Sequence, residues 1–472
     1  MATPPLFLLL LLLLSFLLLL RPAHSRSTSK ITGTTKPAPL ENGDPRQQHA
    51  PAECDGRRIH IRELPSQFNA DLLLACDSSS FPLLDSSSSN FCASLSDHGL
   101  GPRTHNRSRS WYRTDSHRGL EPLFHRRMLE YPCLVADPSL ADAVFLPYYS
   151  SLDALPFLYS PDQFNSSFLH GLSLYYFLTD KDNSPHVWSR HRGLDHFLVL
   201  AGPAWDFSQA PSADPVLFGT SFLTTPELSN LTVLTLESRP SPWQEHAVPY
   251  PTSFHPATLA RLDAWLSRAR SSRRPNLALF VGGGGGGGPN VRGSIRAECE
   301  NRTDLCEVVN CSGGSCAHDP IRFMRPMLRS DFCLQPPGDT PTRRSTFDGI
   351  LAGCVPVFFE ELGARAQYGW HLPRGEYDRF SVFIPKEDVV FNGVRILEVL
   401  EAIPRDEVRR MRERVLELAP GVMYRRQGSS DGLRARKDAF DLAVEGALRR
   451  IRRRVRSIAE PELLLEEDDD DL

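Results

Sequence analysis

A chain of 472 residues with a formal net charge of −4 is too long for one ordinary domain and too nearly neutral to suggest nucleic acid as a partner. With an unusual head and an acidic end set aside, about 400 residues remain, enough for two or three globular domains. The charge is uneven: six arginines lie between Arg449 and Arg456, and eight acidic residues follow between Glu460 and Asp471. That pattern predicts a solvated helix face and then a disordered tail.

The chain begins "MATPPLFLLLLLLLSFLLLLRPAHSRS", apolar from Leu6 to Leu20 except at Ser15. As a helix this run would reach about 22 Å, short of a hydrocarbon core about 30 Å thick. A cleaved signal peptide, suggested by the small-x-small Ala23–Ser25, and a short signal anchor are both open. Either one sends the rest of the chain into the secretory pathway. Ten cysteines without a C-x-x-C pair favour disulfides over zinc, as that compartment allows. Five N-x-[ST] sequons, at Asn106, Asn165, Asn230, Asn301 and Asn310, are candidate glycosylation sites.

From Ser25 to about Glu53 the composition is that of a stem without a core. "RIHIREL" alternates as a strand, "EPLFHRRMLEY" has a helical pattern, and "AVFLPYY" reads as a buried strand. "DHFLVLAG", "PVLFGTSF" and "LTVLTLE" are further short apolar runs, and their alternation with helical segments predicts parallel-sheet α/β units. The proline-dense Ser238–Pro256 excludes a regular helix or a central strand and suggests a crossing between domains. A second α/β unit then starts with helical "ATLARLDAWLSRAR" and the strand "NLALFV". Beyond Ile384 two helical stripes follow, the later one through Phe440, Val444, Leu448 and Ile451.

The most informative segment is "SDFCLQPPGDTPTRRSTFDGILAGCVPVFF", read as strand, rigid loop, helix and strand. Ser345 with Asp348 three residues on predicts a capping-box start, and Gly353 a left-handed stop. Arg343 and Arg344 stand where strand gives way to helix, a position suited to a phosphate or diphosphate. Pairing of both arginines with surface carboxylates is the competing reading.

This segment resembles the signature of the exostosin-like glycosyltransferases, family 47, and in particular the plant xyloglucan galactosyltransferases. Likeness extends through "CDGRRIHIRELPSQFN", "FHRRMLEYPCLVADPSLADAVFLPYY", "DHFLVLAGPAWDF", "AVPYPTSFHP" and "YGWHLPRGEYDRFSVFIP", in order, over nearly all of Cys54 to Ile458. The resemblance implies a GT-B type α/β fold with two Rossmann-like domains facing a cleft and C-terminal helices. It implies a Golgi type II membrane protein, catalytic domain in the lumen, in which residues 1–24 are the anchor and 25–53 the stem. An acceptor-side domain then covers 54–256, a nucleotide-sugar domain 257–425, a C-terminal helix 426–458 and an acidic tail 459–472.

UDP-galactose is the implied donor and xyloglucan, or a related polysaccharide, the acceptor, with inversion and no cofactor. A Golgi glycosyltransferase complex is an implied partner. Another UDP-sugar, galacturonic acid or a pentose, and a non-catalytic glycan-binding protein of the same fold are the alternatives. Donor binding falls to Arg343, Arg344, Ser345, Asp348, Gly338 and Arg296. Arg296 is the nearer substitute, ahead of Arg292, for a basic residue that the family has where Gly288 stands. For the base, Asp206 ranks before Asp195 and His246.

A metal-dependent design would use Asp180 and Asp182 in "LTDKDN", but so short a motif arises by chance and reads as a solvated turn. The spacings of Cys299, Cys306, Cys311 and Cys316 fit no common zinc template and suggest local disulfides. Seven glycines, Gly282 to Gly288, follow "LALFV" without the Lys-[ST] of a P-loop. They predict a donor-side loop by location and a low-complexity insertion by content.

Overall fold

The computed structural model describes residues 52–459, apart from 79–91, 105–108, 160–163, 211–217, 284–289, 312–315 and 317–318. The leader, most of the stem, the acidic tail, Asn106 and all of the glycine run beyond residue 283 therefore lie outside the described residues. Among those described, no helix is long and apolar enough to cross a membrane.

Two five-stranded, all-parallel sheets organise the chain. The first runs in simple order: β1 (Ile59–Ile61), β2 (Ala143–Phe145), β3 (His196–Pro203), β4 (Thr232–Glu237) and β5 (Glu245–Ala247). β3 and β4 are buried along nearly their whole length, which is why they are written as unbroken apolar runs rather than alternating ones. β5 lies in the proline-dense segment, where an edge position tolerates the neighbouring prolines. In the described part of "PVLFGTSF", Phe218–Phe222, there is no strand, and Gly219 stands at φ 130°.

The second sheet contains β6 (Asn276–Gly282), β7 (Cys306–Asn310), β8 (Ser330–Gln335), β9 (Val355–Phe358) and β10 (Val382–Phe383), in the order β10-β9-β8-β6-β7. The chain leaves β6 to one side for β7 and returns on the other for β8, so a topological switch point falls between β6 and β8. Crevices outside the carboxyl ends of strands at such points are where open α/β sheets bind ligands.

Helix α1 (Leu120–Met128) covers the first sheet, and α2 (Leu259–Ser271), α3 (Val291–Asn301), α4 (Ser345–Leu351) and α5 (Arg405–Leu418) belong to the second half. The last helix, α6 (Ala439–Ala459), returns to the first sheet, where Phe440, Val444, Leu448 and Ile451 join the core with Phe124 and Leu234. A buried ion cluster locks this return. Arg127 of α1 donates to Asp438 at 2.7 Å, and Arg425 pairs with Asp438 and Asp441. Burial opposes ionisation of Asp438, but the two guanidiniums outweigh it and hold its carboxyl below the usual range.

All ten cysteines pair, as Cys54–Cys133, Cys76–Cys92, Cys299–Cys306, Cys311–Cys316 and Cys333–Cys354. The two short loops closed by the Cys299–Cys316 group are the local staples that its spacing suggests. Asn301 and Asn310 are exposed, and the Asn230 amide donates to the Arg192 carbonyl.

Candidate active site

The carboxyl end of β4 meets the loop after β8, and hydrogen bonds join the two halves there. Glu237, the last residue of β4, is fully buried. Its carboxylate accepts from Tyr250 Oη and Thr340 Oγ1, each at 2.6 Å, and from the Thr342 N–H at 3.3 Å. Thr340 and Thr342 belong to the "PPGDTPTRR" loop after β8, so Glu237 ties the first half to that loop. Tyr368 Oη adds a second tie, donating to the Leu236 carbonyl at 2.7 Å.

On the first-half side, β3 runs into the turn Ala204–Phe207, which carries Asp206. Its carboxylate makes no hydrogen bond to the described residues. Burial pushes it up to about 6, Arg118 opposes the rise and Glu237 adds to it, so the three side chains share one electrostatic environment. Arg118 stands 3.4 Å from His117 Nε2. Burial, then Arg118 and Arg344, push that imidazole down to about 3, leaving it neutral at ordinary pH.

On the other side three guanidiniums gather at the switch point. Arg343 donates to Thr340 Oγ1 at 2.8 Å and the Thr342 carbonyl at 2.6 Å. It lies so close over Gly338 that a Cβ there would sit 1.7 Å from Arg343 Nη2. Arg292 of α3 packs over the Phe280 ring at 5.6 Å, beside the end of β6. Burial and the positive charge of Arg343 and Arg296 lower its proton affinity, with Asp339 opposing, which places Arg292 in range of each of the other two. Nε of Arg292 and of Arg296 is buried without a hydrogen-bond partner among the described residues. Such a set of donors suits a diphosphate.

Arg344, by contrast, is committed to the fold: it donates to the Thr114 carbonyl and to Ser253 Oγ (2.8 Å) and pairs with Asp348 at 3.4 Å. Asp348 is buried, which raises its carboxyl to about 6 against the pull of Arg344. Ser345 forms no cap; its hydroxyl donates to Gln335 Oε1 at 2.6 Å, fastening α4 to β8. Gly353 does stop the helix turn in the left-handed region, φ 64°.

Asp195 falls outside the cleft, whereas His246 lines a cavity that Trp205 also borders. Asp195 precedes the first residue of β3, at the opposite end of a strand roughly 25 Å long by its eight residues. There it is held by Arg190 at 2.6 Å and His196 Nδ1 at 2.7 Å, a structural ion pair. His246, in β5, stacks on Trp370 with ring centroids 4.3 Å apart. Burial and then Arg450 and Arg374 push it down to about 3, so it is a poor proton acceptor near neutrality. Asp180 and Asp182 are exposed, with the Asp182 N–H donating to Asp180 Oδ1 at 2.8 Å, a solvated turn. No cluster of metal-ligating side chains occurs among the described residues.

Sequence reasoning passes over Glu237, Tyr250, His117 and Arg118. The one local sign of Glu237 is a charged residue closing the apolar run "LTVLTLE".

Two all-parallel α/β halves with arginines at a topological switch point have the arrangement in which open α/β sheets bind ligands. The exostosin GT47 domain matches residues 53–400, and the chain belongs to that family. An Arabidopsis thaliana protein named as a probable xyloglucan galactosyltransferase is 59% identical over 86% of this chain and 92% of its own length. A xyloglucan galactosyltransferase of the same plant is 37% identical over 85% of this chain and 63% of its own. A xyloglucan-specific galacturonosyltransferase, also from Arabidopsis thaliana, is 33% identical over 86% and 59%.

Proposed function

We propose that the protein transfers galactose from UDP-galactose to xylosyl side chains of xyloglucan, with inversion, in the Golgi lumen, held there by its N-terminal segment. The carrying observation is the pairing, across one cleft, of a partly buried carboxylate with three guanidiniums at a switch point. The choice of sugar and acceptor rests on the named relatives. The acceptor hydroxyl oxygen attacks the anomeric carbon as the bond from that carbon to the β-phosphate oxygen breaks. Asp206 takes the hydroxyl proton, and UDP leaves with its added charge on Arg343, Arg292 and Arg296. Glu237 acts on neither reactant; it positions the loop that carries Arg343.

Incubation of the purified protein with a panel of UDP-sugars and xyloglucan oligosaccharides, read by product mass, tests this reading. One added hexose from UDP-galactose, undiminished by a chelator, is the expected result. One relative is named as a galacturonosyltransferase, which makes UDP-galacturonic acid the second donor to try. A mass increase with that donor alone would replace the galactosyl assignment.

Because Asp206 titrates at about 6, kcat/KM is expected to fall tenfold per pH unit below that value and to level off above it. A pH-rate profile with no acid limb near 6 would remove Asp206 from its role. Gly338→Ala drives a methyl into the Arg343 guanidinium, and UDP binding by calorimetry is expected to weaken about tenfold. Unchanged affinity would show that Arg343 does not bind the donor from this position.

A further inference from the structure

A second cavity, about 920 Å³, opens between the 238–247 segment after β4 and residues 362–377 of the other half. One wall is stiff. Pro240 and Pro242 fix its backbone angles, Arg239 grips Glu245 with two bonds of 2.6 and 3.0 Å, and the Ser238 N–H donates to Gln367 Oε1 at 3.0 Å. Trp243 is pinned by its indole N–H, which donates to the Ser229 carbonyl at 3.1 Å. Even so, Trp243 is 64% exposed. A rigid loop that holds a large indole in water is a preformed stacking surface rather than a packing element.

The other lining groups need polar partners. Trp205, the neighbour of Asp206, presents a buried indole N–H with no hydrogen-bond partner among the described residues, and so do His246 Nε2 and Arg450 Nε. Unmet buried polar groups destabilise the protein unless a ligand or water satisfies them. Two of the wall's cations are matched, Arg239 with Glu245, and Arg365 with Asp378 at 3.7 Å and with the Tyr377 ring at 5.7 Å; Arg374 and Arg450 also line the cavity. A pyranose ring gains both ways, because its C–H face stacks on an indole and its hydroxyls donate and accept.

We infer that this cavity is the acceptor site, binding a neutral oligosaccharide with one ring on Trp243 and hydroxyls at Trp205 Nε1 and His246 Nε2. The inference rests on the proposed transferase reading, which needs an acceptor beside Asp206; Trp205 is the covalent link between the two sites.

Calorimetry of the full chain with neutral xyloglucan oligosaccharides, without donor, tests it. Trp243→Ala is expected to weaken binding about tenfold and to raise the acceptor KM similarly, with kcat and UDP affinity unchanged. Trp205→Phe, which keeps a ring and removes the N–H, is expected to weaken binding about fivefold; a thermal melt checks that both variants fold. Parental affinity in both variants, or tighter binding of an anionic oligogalacturonide than of the neutral sugar, overturns the assignment. Should the protein bind the neutral sugar through Trp243 yet transfer nothing, the site stands and the transferase reading fails. Should transfer proceed with a parental acceptor KM in Trp243→Ala, the site alone fails.

Discussion

Asp206→Asn is expected to lower kcat by about 10³-fold while leaving UDP affinity within about twofold of the parent, since general-base assistance contributes about 10²- to 10⁴-fold. The asymmetry follows from placement. Asp206 lies in the turn after β3 in the first half, whereas Arg343 stands on the loop after β8 and Arg292 and Arg296 on α3. A structural aspartate would give another signature. With its carboxyl raised to about 6 by burial, ionised Asp206 opposes folding above the ordinary carboxylate range. Asparagine relieves that cost, so the melting temperature at pH 7 is expected not to fall. A stable variant with parental turnover would show that the base lies elsewhere, and an unstable one would mark Asp206 as structural.

Arg343→Glu is expected to weaken UDP binding by about 10²- to 10³-fold. Two charge-assisted hydrogen bonds at about 1.5–3 kcal/mol each are lost, and a negative group faces the diphosphate. The neighbouring Arg344→Ala separates charge from architecture. Its guanidinium holds Thr114, Ser253 and Asp348, so its loss leaves a buried carboxyl without a counterion and should lower the melting temperature more than UDP affinity. Calorimetry and thermal melts on the two variants read these opposite outcomes. Equal loss of UDP affinity in both would return Arg344 to the donor site.

How much of this was legible in the sequence depends on whether the deciding contact is local. β3, β4, β6, β8 and β9 were readable because strands buried in a parallel sheet are apolar runs bounded by Gly, Pro or charge. The left-handed stop at Gly353 was readable for the same reason, one residue serving one backbone angle. Ser345 was misread because S-x-x-D is a local cap pattern, while its actual partner, Gln335, comes from the preceding strand.

Arg343 and Arg344 are adjacent in sequence and were given one role. Successive side chains entering a helix diverge by about 100°, and here one faces Gly338 while the other reaches the first half. His246 and Trp370 are far apart in the chain, so no spacing could reveal that they stack. Glu237 stayed hidden because its three bonds come from Tyr250 and from a loop over a hundred residues on. The glycines were placed correctly at the end of β6, directly before α3 and its Arg292 and Arg296, while the bulk of the run lies outside the described residues.

The stereochemistry of a single transfer event is the most direct test of base-assisted displacement at this site. Proton NMR of a reaction containing UDP-α-galactose, xyloglucan oligosaccharides and the purified protein distinguishes a β-linked from an α-linked product as it forms. A β-linked galactosyl residue on xylose, with UDP released in equal amount, is the result expected of one displacement assisted by Asp206. An α-linked product, or free galactose with the oligosaccharide unchanged, would contradict it.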